Sequence, residues 1–155
     1  MSQKAEFHNL AKPDDGLLRE LAKGVTTRIF AGEQAMLSVV TIAPNAPGVM
    51  HHHPEEQWGV LLEGSAVRFQ GGEEIAVKQG DFWRTPGNVP HTMRAGPDGA
   101  RVLDILSPPR PEYKKAGKGL GVGSTNPPHP EEGADAPCAE IAGGTTEVAY
   151  RCKPN

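Results

Sequence analysis

The chain has 155 residues, enough for one domain, yet only 37% are hydrophobic and 5% aromatic, while Gly 19 and Pro 15 are high counts. That balance predicts a compact core carrying loop-rich extensions. A formal charge of −3 provides no basic field for nucleic acid or an anionic membrane surface, and no apolar run is long enough to cross a bilayer.

The polar start, Met1-Ser2-Gln3-Lys4-Ala5-Glu6, lacks the apolar centre of a signal peptide, so a cytoplasmic protein is expected. Pro13-Asp14-Asp15-Gly16 reads as a turn. Leu17, Leu18 and Leu21 then fall at helical spacing before Gly24, which predicts one or two helical turns over Leu17 to Ala22. From Val25 the texture becomes β-branched, with strands expected at Val25 to Phe30 and Ala35 to Ile42. Pro44-Asn45-Ala46-Pro47-Gly48 interrupts them. Further strands are expected at Trp58 to Leu62, Ala66 to Phe69, Ile75 to Val77 and Phe82 to Thr85, with a tight turn at Gly71-Gly72. A last hairpin is expected to turn at Gly96-Pro97-Asp98-Gly99 into Ala100 to Leu106. Many short strands with frequent turn signals predict an antiparallel sandwich or barrel. Beyond Pro108-Pro109, Gly117 to Pro137 has little to bury and reads as a tail, while Thr145 to Cys152 recovers strand character. Cys138 and Cys152, the only cysteines, are too few for a disulfide scaffold and read as plain thiols.

The chemistry concentrates at Met50-His51-His52-His53-Pro54-Glu55-Glu56-Gln57 and, 33 residues after Gln57, at Pro90-His91, which together hold four of the six histidines. Alternation along a strand puts His51 and His53 on one face and His52 on the other. Two imidazoles at that spacing can share a metal, with Gln57 or Glu56 and a distant His91 completing the set. His52, Glu55 and Glu56 read as surface or supporting residues, and His8 and His129 receive no role.

These two stretches resemble the paired motifs of the cupin family. His51, His53 and Gly64 fit the first motif, and Gly80, Pro86 and His91 the second, with 15 residues between Gly64 and Gly80. Asn45 and Asn88 stand where the family has glycine, and asparagine tolerates the left-handed backbone better than most residues. Gln57 occupies the position of a glutamate ligand, and Ala95 that of the final asparagine. The resemblance implies an all-β, single-domain cupin jelly-roll barrel over residues 25–112. Irregular extensions are expected at 1–24 and 113–155, and assembly as a homodimer. It implies one divalent metal ion (Zn, Ni, Fe or Mn) on His51, His53, Gln57 and His91, and a small-molecule substrate. With Gln57 in place of a carboxylate, the metal would keep its full charge. That favours polarising a substrate oxygen over dioxygen chemistry.

A second cluster follows. Asp104 interrupts the apolar strand Val102 to Leu106, and Arg110 lies six residues later. A buried carboxylate is costly unless paired or functional. Its ordinary reading is a structural Asp, and its functional one a general acid/base beside an arginine that binds a carboxylate. His-Pro-x-Glu-Gln with Asp-x-x-Ser-Pro-Pro-Arg is similar to the small cupins that linearise unsaturated uronates, which implies catalytic roles for Asp104 and Arg110. A dioxygenase and a non-catalytic binding cupin are the alternatives. Arg68 and Arg84 are further anion-binding candidates whose first reading is a solvated strand edge, and Trp58, Phe69, Phe82, Met50 and Met93 read as core or pocket wall.

Overall fold

The computed structural model describes residues 5–120. Cys138, Cys152, His129 and the expected strand at Thr145 to Cys152 lie outside them. Eight strands follow in order: β1 (Leu17–Ala22), β2 (Val25–Ala31), β3 (Met36–Ile42), β4 (Glu56–Gln70), β5 (Glu73–Lys78), β6 (Phe82–Thr85), β7 (His91–Ser107) and β8 (Gly117–Lys118). They form one sheet in the order β5-β4-β7-β3-β2-β1-β8, with β6 on the free side of β4. Every pairing is antiparallel except β1 with β8. The sheet curls onto itself, because one buried cluster draws Val25 from β2, Val40 and Ile42 from β3, Leu61 from β4, Val77 from β5 and Val102 from β7. This is the all-β jelly-roll barrel that the sequence resemblance implied.

β4 and β7 are single long strands where shorter ones were expected. Gly64 pairs with Ala100 and Ala66 with Ala95, so Ser65 alone faces the four residues Gly96 to Gly99. The turn residues at 96–99 therefore bulge out of a continuing strand instead of reversing it, and the kink lets β4 and β7 serve both halves of the barrel. Gly64 makes the kink feasible: its φ is +82°, and a Cβ there would meet the Gly99 carbonyl oxygen at 2.1 Å. Gly64→Ala should lower stability by about 2 kcal/mol or more, read as a fall in the urea midpoint. An unchanged midpoint would remove Gly64 from this account.

Leu17–Ala22 is a strand, not a helix. Its inward side carries Leu17, Arg19 and Leu21, and Arg19 is 6% exposed. That arginine donates to four backbone carbonyls: Nε to Gly119 (2.9 Å), Nη1 to Glu112 and Lys115 (3.2 and 3.1 Å), and Nη2 to Lys118 (3.0 Å). It thereby fastens a strap, the 3-10 turn Pro111–Lys114 and β8, to the edge of the sheet. The strap buries Tyr113 and Leu120 against the barrel.

Candidate metal centre and cavity

His51 and His91 exchange backbone hydrogen bonds, N to O at 3.1 and 2.9 Å, and so sit directly opposite each other with side chains on one face. His53, two residues on, returns to that face. Asn45 and Asn88 take φ of +57° and +65°, the left-handed conformation expected of them, and the Asn88 amide bonds the His53 carbonyl at 2.7 Å. The result is a three-imidazole cluster whose candidate ligand atoms all lie within 4.8 Å of one another. Gln57 joins it from the inner face of β4, with Oε1 3.1 Å from His53 Nε2. Glu56, the competing candidate, points outward, pairs with Arg84 at 2.8 Å and accepts from the Trp58 indole at 3.1 Å.

The hydrogen bonds fix which nitrogen of each ring carries the proton. Nδ1 of His51, His53 and His91 faces the carbonyl oxygens of Val49 (2.8 Å), Glu55 (3.1 Å) and Val89 (2.7 Å), so each Nδ1 is the donor. Every Nε2 is then a bare lone pair. Burial keeps the rings neutral, lowering His51 to about 3 and His91 to about 2, and it lowers His53 as well. Nε2 of His91 has no hydrogen-bond partner among the described residues. An amide oxygen can only accept, so Gln57 Oε1 turns a lone pair toward that of His53. Two acceptors facing each other at 3.1 Å repel unless a cation lies between them. Three imidazoles oriented by backbone carbonyls and one amide oxygen fit a divalent metal.

Residues 38–106 match the Cupin_2 family, described as a cupin domain. The chain carries a cupin domain. It is 33% identical over 91 residues to oxalate decarboxylase OxdC of Bacillus subtilis (strain 168), an alignment that spans 55% of this chain and 24% of that protein. This chain therefore matches about a quarter of that relative's length. An RmlC-like cupin from Shewanella frigidimarina NCIMB 400 superposes with a TM-score of 0.62 at 21% identity, covering 73% of this chain and 99% of its own. KdgF from Halomonas sp. follows at a TM-score of 0.61 and 22% identity, covering 70% and 97%. Both likenesses establish the fold.

Inside the cupin, the three histidines and Gln57 open onto a cavity of about 80 Å³. Asp104 lines it from β7. Burial pushes its carboxyl up to about 6 against the opposing pull of Arg68 and the Gln57 amide, and its Oδ1 has no partner among the described residues. Arg110 also lines the cavity, 2% exposed. Its Nη2 donates to the Leu120 carbonyl at 2.6 Å, its guanidinium lies over the Tyr113 ring at 4.4 Å, and its Nε is 3.8 Å from the buried Glu55 carboxylate. Glu55 in turn lies 3.3 Å from His53 Nδ1. Glu55, which the sequence leaves between a surface and a supporting place, is buried and supports His53.

Two other expectations change. Arg68 is not a solvated edge but a cavity wall, 5% exposed, whereas Arg84 is exposed and paired with Glu56. Trp58 and Phe82, 41% and 70% exposed, lie on the outer face and do not line this cavity. Trp83, which lies outside the family motifs and which the sequence offers, with Trp58 and Arg84, as setting a different pocket, faces the cavity.

Proposed function

We propose that this cupin is a metal-dependent enzyme acting on a small carboxylate or carbonyl compound, with His51, His53, Gln57 and His91 holding one divalent ion. The facing lone pairs of His53 Nε2 and Gln57 Oε1, beside the unpartnered Nε2 of His91, carry this reading. A divalent ion there supplies Lewis acidity toward a substrate oxygen. Asp104, on the adjoining wall, moves a proton through Oδ1 next to the polarised group. Arg110 adds positive charge to the same wall. Apolar side chains, among them Val40, Ile42 and Leu106, keep bulk water from the reacting atoms.

The relative named an oxalate decarboxylase acts, by its name, on a dicarboxylate, which supports carboxylate chemistry within the aligned part. Uronate ring-opening, expected from the sequence resemblance, belongs to the same class of metal-assisted proton transfer. Gln57 in place of a carboxylate ligand puts this class ahead of a dioxygenase. The test is anaerobic incubation of metal-loaded protein with small keto acids, dicarboxylates and unsaturated uronates, followed by proton NMR. The wild type should convert at least one of them, and Asp104→Asn should keep its metal yet lose about 100-fold or more of turnover. Consumption that requires oxygen would make the cupin a dioxygenase, and binding without turnover would make it a binding module.

A further inference from the structure

Arg68 reaches the cavity from β4 and makes no ion pair within 4.0 Å among the described residues. Its Nε and Nη2 donate to Gln70 Oε1 (3.3 and 3.2 Å), and Nη2 also donates to Thr85 Oγ1 (2.7 Å). Those neutral acceptors orient the guanidinium without neutralising it. Nη1 makes no hydrogen bond among the described residues. Arg110, in contrast, has Glu55 beside it and the Leu120 carbonyl on its Nη2. The carboxylate that pulls on Arg68 is that of Asp104, which forms no ion pair with it within 4.0 Å among the described residues. A buried cation with no direct ion pair is costly, and an anionic ligand that reaches it directly would offset that cost.

A second donor waits beside it. Trp83 packs under the Arg68 guanidinium, 5.3 Å from carbon Cζ to the ring centre. Its indole lies against Gly59, where a Cβ would come within 2.5 Å of Nε1, so only glycine leaves room for the ring. Gly59 is the cross-strand neighbour of both Trp83 and Asp104, which brings the indole and the carboxyl to one wall. Trp83 Nε1 is buried and has no partner among the described residues. Nη1 of Arg68 and Nε1 of Trp83 are thus two cavity donors without acceptors, the complement of a carboxylate's two oxygens.

Space limits what else the ligand can carry. About 80 Å³ admits roughly five water-sized groups. The wall away from the histidines is apolar, with Leu21, Val25, Val40, Ile42 and Met93.

We propose that Arg68 and Trp83 form the carboxylate-holding subsite of this cavity and that its ligand is a short carboxylic acid of about two to four carbons, not a hexuronate. This rests on the reading of the cupin as acting on a small carboxylate, and it names the residue and the size class. The acid's carboxylate accepts from Arg68 Nη1 and Trp83 Nε1, which leaves its other end toward the three histidines.

The test titrates the full chain with oxalate, pyruvate, acetoacetate and galacturonate, both metal-free and after loading with a divalent ion. Binding is read by calorimetry and by Trp83 fluorescence in a Trp58→Phe background. The short acids should bind, and Arg68→Met should weaken them about tenfold to 100-fold. Arg68→Lys should recover part of that loss, and Arg84→Met should match the wild type. A thermal melt of each variant separates lost binding from lost folding; if Arg68→Met does not fold, Arg68→Lys and Trp83→Phe carry the comparison. Unchanged affinity in folded Arg68→Met, or galacturonate binding as tightly as the short acids, would overturn the proposal. Arg68-dependent binding by a protein that takes up no metal would support the subsite and remove the metal reading. Metal uptake with no acid binding would do the reverse.

Discussion

His91→Ala should abolish divalent-metal uptake, taking the protein from about one equivalent to none, while leaving the barrel folded. Removing a first ligand should exceed the 10- to 100-fold loss typical of changes to supporting groups. His91 closes the cluster opposite His51, and among the described residues its Nε2 has no partner to compete for it. Mass-spectrometric metal content of wild type and variant, each dialysed against a mixture of Zn, Ni, Fe and Mn ions, decides the matter. Equal metal in both would place the ion elsewhere. The same lone pairs set the pH response. His51 and His91 are lowered to about 3 and about 2, so protons do not compete for them near neutrality. Affinity should stay nearly flat from pH 8 to 5, where an ordinary histidine site loses its metal as the rings protonate near 6.5. A steep fall between pH 7 and 6 would contradict the buried, neutral cluster.

Arg110→Ala should cost about 3–5 kcal/mol of stability even in metal-free protein, because it leaves Glu55 as an uncompensated buried charge. It also frees the Leu120 carbonyl and uncovers the Tyr113 ring. The corresponding fall in melting temperature is roughly 10 °C or more. Lysine should not restore it, since an ammonium cannot lie flat on Tyr113 while also reaching Glu55 and Leu120. Urea unfolding of metal-free wild type, Arg110→Ala and Arg110→Lys measures this. A variant as stable as the wild type would show that the residue's contribution lies with the substrate alone.

The barrel and the histidine cluster were legible because both rest on short-range rules. Alternation put His51 and His53 on one face, and Asn45 and Asn88 supplied the positive φ values that the neighbouring turns need. The choice between Gln57 and Glu56 needed the start of β4, which sequence alone leaves uncertain by a residue, and a one-residue slip exchanges the faces. The two larger misreadings share a cause. In Leu17-Leu18-Arg19-Glu20-Leu21 and in Ala66-Val67-Arg68-Phe69-Gln70 an arginine occupies an inward position. Polarity at such a position inverts the pattern from which strand faces are read, so β1 resembled a helix and Arg68 a solvated edge. What offsets Arg19 is a set of carbonyls 93 to 100 positions away, which no local window contains.

That separation also fixes a timetable. Arg19 is synthesised a hundred residues before its acceptor Gly119, an interval on the order of 5–20 s at ordinary synthesis rates. β2 and β3 can pair early, but parallel pairing of β1 with β8 must await the late segment, and contacts of such range form slowly. Among the described residues, the cavity's last wall in chain order is therefore Tyr113 and Leu120, which follow every residue of the histidine cluster. A chain lacking the residues beyond 110 would leave the apolar lining of that cluster uncovered, and a divalent ion held there would have its widest path inward in such a chain.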